Sequence, residues 1–166
     1  MAEIRMPATP VRNDQLKVGD FVFFEAGGKF HPGIFVLHEQ FQRAFIAPFK
    51  GVNADSIGPE LISVGYSKVI SFGKNVEIVL SCCAEDWTSD RPSQETPCIV
   101  IFDYSGNPCL RMRMPRSPEY WYVDLREGKL FPQSDYVGDE VYVLAWEVFS
   151  LEDEKRLICD QKNNKS

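Results

Sequence analysis

The densest group of chemistry-bearing side chains in this chain is Arg111, Arg113 and Arg116, followed closely by Tyr120, Trp121 and Tyr122. On an extended strand, Arg111 and Arg113 share one face while Leu110, Met112 and Met114 share the other. Guanidiniums aligned beside phenols can grip a carboxylate or phosphate through paired hydrogen bonds, or stack on a splayed base. Arg111, Arg113, Arg116, Tyr120 and Tyr122 are therefore the candidate binding residues. The competing reading pairs the arginines with acids on a neighbouring strand. Residues 81–166 carry sixteen acidic side chains against ten basic ones, which favours that second reading. Both readings leave the two strand arginines outside the core, so their removal should cost little stability.

The other reactive side chains form no recognisable constellation. His31 and His38 are seven residues apart, and an odd separation along a strand places them on opposite faces. With no third ligand close in sequence, they read as structural or surface histidines. Cys82 and Cys83 end an apolar strand with no histidine close in sequence to activate a thiolate, so they read as buried and inert. The sequence contains no C-x-x-C pair, no G-x-x-x-x-G-K-S/T run, no G-x-G-x-x-G fingerprint and no G-x-S-x-G elbow. These patterns assign no catalytic residue, and no metal ligand or cofactor is expected. An odd count of five cysteines, one pair adjacent, fits a reducing compartment better than a disulfide framework. The opening residues hold no apolar run of signal-peptide length. A cytoplasmic location with no membrane partner is the expectation.

Composition sets the scale of the elements that must carry these residues. The 166 residues are 44% hydrophobic, 25% charged and 13% aromatic, with 12 Phe, as befits one well-cored globular domain. The net charge is −6. Residues 1–80 balance at eight acids and eight bases, so the whole acidic surplus lies in the second half. A broad basic nucleic-acid footprint is thereby excluded. An acidic face instead suits a basic protein partner.

The pattern of apolar residues is that of strands. Residues 1–15 read as an N-terminal arm, 16–160 as a single domain and 161–166 as a polar tail. Phe21–Phe24 and Gly33–His38, separated by Gly27-Gly28, predict a hairpin, with Ala44–Pro48 as a third strand. Further strands are predicted at Lys68–Phe72, Val76–Cys82, Cys98–Tyr104, Leu110–Met114 and Tyr120–Leu125. Asp139–Phe149 suits a strand or a buried helix, and its β-branched and aromatic content favours the strand. Glu85–Pro97 is long and polar, a loop of the kind in which functional segments are enriched. Ser150-Leu151-Glu152-Asp153 has the form of a helix start, with acids early and Lys155 and Arg156 later, so a short C-terminal helix is expected.

Two stretches resemble known families. Ile99–Phe102 followed by Asp103 is similar to the apolar strand and first aspartate of haloacid-dehalogenase-type phosphotransferases. Ser105 stands where their second aspartate belongs, and Ser105-Gly106-Asn107-Pro108 reads instead as a hairpin turn. Lys17–Phe23, His31–Leu37 and Phe45–Phe49 resemble the opening of the MazF/PemK-like toxin family, with His31 in place of that family's arginine. The resemblance covers residues 17–49 and implies an SH3-like barrel that cuts single-stranded RNA. The expected fold is accordingly a mainly β single domain, a partly open SH3-like or related β-barrel with a short C-terminal helix. The expected function is a non-enzymatic acidic binding or inhibitory module acting through protein–protein interaction. Its alternative is a metal-independent endoribonuclease of the MazF/PemK-like type acting on single-stranded RNA.

Overall fold

A computed structural model describes residues 8–38, 40–49, 59–65, 69–102, 106–117, 119–132, 139–152 and 154–163. Fifteen strands occur among them, with two single-turn 3-10 helices at Asn13–Gln15 and Ala84–Asp86. The first six strands are β1 (Thr9–Val11), β2 (Phe21–Ala26), β3 (Lys29–His38), β4 (Arg43–Pro48), β5 (Ile62–Ser63) and β6 (Val69–Gly73). They form one antiparallel sheet, sheet A, in the order β1-β6-β2-β3-β4-β5. Next come β7 (Val76–Leu80), β8 (Trp87–Thr88), β9 (Ile99–Phe102), β10 (Pro108–Arg113), β11 (Tyr120–Asp124), β12 (Leu130–Pro132) and β13 (Glu140–Val143). Six of these build sheet B, ordered β12-β11-β10-β9-β13-β8. Sheet C is β15-β14-β7, where β14 is Trp146–Ser150 and β15 is Arg156–Gln161. The three sheets do not close into a barrel.

All three sheets give their inner faces to one core. Phe21, Ile34, Val36, Phe45 and Ala47 from sheet A meet Ile99, Leu110, Met112, Val123 and Val143 from sheet B, with Trp146 and Val148 from sheet C. Much of the phenylalanine is spent here. Phe21 lies 5.4 Å from Phe49 and 5.7 Å from Phe72, and Phe49 lies 6.5 Å from Trp146. Offset and edge-on rings at such separations add to what area burial supplies. Neighbouring strands approach closely at Gly33, where a Cβ would stand 2.7 Å from Ile46 Cγ2 and 2.9 Å from the Ala47 carbonyl oxygen. Any side chain there would force β3 and β4 apart.

Strand alternation does not leave a wet outer face on either large sheet. Val22, Phe24, Phe35, Ile46 and Val69 cluster on the outer side of sheet A, against Val11, Leu16 and Val18. Cys98, Val100, Phe102, Cys109, Tyr122 and Tyr142 do the same on sheet B. The segment read as an arm contributes to this: Thr9, Pro10 and Val11 pair with Ser71, Ile70 and Val69 of β6.

The C-terminal helix is a correction. Arg156–Gln161 is β15, paired antiparallel with β14 from Ser150↔Arg156 to Trp146↔Gln161, with a bulge between Val148 and Phe149. A helix with only Leu151, Leu157 and Ile158 on its stripe would bury little, whereas β14 offers an open edge. Ladder bonds and the packing of Ile158 and Cys159 on the core outweigh the capping signal. The ambiguous Asp139–Phe149 segment resolves into β13 and β14. No helix among the described residues is long and apolar enough to cross a membrane.

Candidate binding site

The structure brings four of the five expected binding residues together on β10 and β11, where Arg111 pairs with Tyr122 and Arg113 with Tyr120, and leaves Arg116 on the connection between the strands. Arg111 does face away from Leu110 and Met112, but it is buried, only 4% exposed. Its guanidinium donates to the carbonyl oxygens of Pro92 at 3.2 Å, Ser93 at 2.8 Å and Thr96 at 3.3 Å. It lies 4.9 Å from the Tyr120 ring centre and 5.8 Å from that of Tyr142. This side chain clamps the long polar segment onto sheet B, and it is no part of an exposed ridge. Arg113 is half-buried, and its backbone brackets residues 59–61, donating to Pro59 O at 3.0 Å and accepting from Leu61 N at 2.8 Å. Arg116 is exposed on a turn at φ 61°. Tyr120 is half-buried beneath Arg111, and Tyr122 is buried edge-on against Phe102 at 5.1 Å.

A second set of polar groups completes the clamp. Arg91 donates from Nε to Tyr142 Oη at 3.3 Å and lies 3.7 Å from Glu140, while the Tyr142 hydroxyl donates to Glu140 in a short contact. That hydrogen bond to Tyr142 holds the Arg91 guanidinium above its ordinary range. Burial raises the Tyr122 and Tyr142 phenols, with Glu140 pushing the same way. Burial also pushes the Cys98 thiol up to about 11, with Arg111 partly offsetting it. Both phenols and the thiol are neutral at pH 7 at their ordinary values, and burial extends that neutral range to higher pH.

The cysteine expectation needs amending. Cys98 and Cys109 are buried and Cys159 is intermediate, but Cys82 and Cys83 are exposed. β7 ends at Leu80, two residues earlier than the apolar pattern suggests, so the adjacent thiols fall in the turn beyond it. Asp103 and Ser105, with the dehalogenase-like reading, lie outside the described residues.

The histidines do fall on opposite sides of β3. His31 has Nε2 3.2 Å from the Ala26 carbonyl oxygen and its ring 5.7 Å from Phe24, on the outer side. His38, on the inner side, is 3% exposed and lies between Phe41 at 4.4 Å and Trp121 at 4.7 Å. Its Nδ1 accepts the Phe41 backbone N–H at 3.2 Å. In the neutral ring the proton must then sit on Nε2. Nε2 is buried with no hydrogen-bond partner among the described residues. An unspent donor at such a place carries an unmet desolvation cost that an incoming acceptor would relieve.

His38 borders a groove of about 640 Å³ lined also by Gln40, Trp121, Lys129, Leu130, Phe131 and Pro132. The β3–β4 turn places Phe41 beside it, 65% exposed. A parallel bridge between Leu37 and Lys129 ties the two sheets together here. The groove thus combines aromatic walls, a cation and a buried donor. Of these residues only His38 and Trp121 stand out in the sequence. His38, Trp121 and Lys129 are far apart along the chain, and no local spacing marks them as lining one groove. No protein-family model, curated protein or solved structure matches the chain.

Proposed function

We propose that this chain is a non-enzymatic binding or inhibitory module that recognises a basic protein partner. The partner lays an extended segment in the His38–Trp121–Phe131 groove, with an apolar or aromatic side chain against Phe41. The observation that carries this reading is the exposed Phe41 ring packed against His38, whose Nε2–H finds no acceptor among the described residues. A backbone carbonyl of the bound segment supplies that acceptor, and the acidic surplus of residues 81–166 draws basic residues flanking it. Large apolar side chains exposed beside a groove are the usual anchors of such surfaces. The meander of β2, β3 and β4 covers the stretch similar to MazF/PemK-like toxins, and an SH3-like kinship for it forms part of the same proposal.

The test is an array of basic peptides with and without one aromatic residue, probed with the native chain and with Phe41→Ser. Binding that needs the aromatic residue and falls about tenfold or more in Phe41→Ser, with melting unchanged, is the expected result. Equal binding by the variant would remove the groove from the reading. Cleavage of single-stranded RNA by the purified chain in the presence of a chelator would replace the module with the endoribonuclease.

A further inference from the structure

A second cavity lies where the three sheets converge. It measures about 480 Å³ and is lined by Gly19, Lys74, Val76, Ile78, Leu80, Pro108, Leu125 and Arg126. Its size falls within the roughly 300–1,000 Å³ usual for small-molecule sites. Period-two alternation on β7 turns Val76, Ile78 and Leu80 towards the core side, where with Leu125 they pack against the core cluster while keeping part of their surface open. The floor is therefore an apolar stripe laid on the hydrophobic core. From Val76 to Leu80 it runs about 13 Å, the length of an extended acyl chain of about ten carbons.

One end of this stripe is cationic. Lys74 and Arg126 are both exposed, and neither makes an ion pair with a described residue. Both belong to the same end of the cavity, because Gly19 touches both loops. A Cβ on Gly19 would stand 3.3 Å from Lys74 Cε and 3.5 Å from the carbonyl oxygen of Glu127, the residue after Arg126. The carboxylates around it are committed elsewhere. Asp124 accepts the backbone N–H groups of Arg126 at 2.7 Å and Glu127 at 3.1 Å, and Asn107 Nδ2 lies 3.4 Å away. Glu127 pairs with Lys129 at 2.8 Å, Glu77 with Lys155 at 2.6 Å, and Asp20 accepts the Lys17 N–H at 2.9 Å. In a chain of charge −6, two cations with no ion-pair partner among the described residues are unusual company for an apolar trough.

We infer that this cavity binds an anionic amphiphile, a medium-chain fatty carboxylate, with its head between Lys74 and Arg126 and its chain along Val76, Ile78 and Leu80. The apolar floor supplies affinity through burial of the alkyl chain, and the cations select a charged head over a neutral one. The site is separate from the Phe41 groove and does not depend on it.

The probe is dodecanoate below its micellar concentration, against dodecanol as the neutral analogue, by titration calorimetry on the full chain. Dodecanoate should bind at least tenfold more tightly than dodecanol. The double variant Lys74→Gln/Arg126→Gln should lose at least tenfold for dodecanoate and be unchanged for dodecanol. Both residues are exposed, so the variant should fold as the native chain does, as its melting curve would show. A carboxyl-labelled dodecanoate gives an independent readout: its bound carboxyl should titrate lower on the native chain than on the double variant. Absence of dodecanoate binding, equal binding of the alcohol, or full binding by the double variant would each overturn the assignment.

Discussion

Sheets A and B solve the same problem by opposite means. Each has a second apolar face that alternation would leave to solvent, and each covers it. On sheet A the cover is apolar: Val11, Leu16 and Val18 pack on Val22, Phe24, Phe35 and Val69. On sheet B part of the cover is polar backbone, held down by Arg111 through the carbonyls of Pro92, Ser93 and Thr96. The first cover is non-directional and tolerates small shifts. The second depends on one guanidinium reaching three acceptors, so it is specific and vulnerable at a single residue.

Three substitutions would sharpen or break that contrast. The largest effect is expected on the dry side. Phe24→Ala removes a 2%-exposed ring and should cost about 3–5 kcal/mol in urea unfolding, with no local signature. Arg111→Met on the other side should cost about 1–3 kcal/mol, because the freed carbonyls can regain water. Its distinguishing sign is local: limited proteolysis should open within residues 89–97 well below the global melting temperature. A cost under about 0.5 kcal/mol with no new cleavage would mean that the segment holds without its clamp.

The smallest effect is one of pH. The Cys98 thiol lies beneath the clamped layer with its pKa raised from 9.0 to about 11 by burial. A folded-state pKa above the unfolded one means that the native state holds its proton longer. This contribution is complete below pH 9 and is lost as pH rises towards about 11. The loss is on the order of 3 kcal/mol at most. The raised Tyr122 and Tyr142 phenols add loss of the same sign at higher pH. Urea midpoints measured across this window should fall with pH for the native chain and less steeply for Cys98→Ala. An identical slope in the variant would place the alkaline sensitivity elsewhere.

Much of the strand content was legible because side-chain alternation is a local property. Leu110 and Met112 share the inner face of β10 as their spacing requires, and Val76, Ile78 and Leu80 share that of β7. His31 and His38 separate to opposite sides of β3 for the same reason. The short strands β5, β8 and β12 were not legible, since two or three residues carry no period and exist only because a neighbour offers an edge. The expected helix at the C-terminus failed in the same way, its local start signal yielding to the open edge of β14.

What the sequence determined by itself is which side chains lie together on each face of a strand, because that follows from the two-residue repeat of the extended backbone. Whether a face is wet was left to tertiary structure. Arg111 lies on the face that alternation assigns it, yet it is buried, because a segment fifteen to nineteen residues upstream folds over it. Likewise His38 meets Trp121, and Lys74 meets the turn that follows Arg126, only when separate sheets are brought together. Contacts between residues distant in sequence depend on how covers and sheets pack, and no local spacing encodes them.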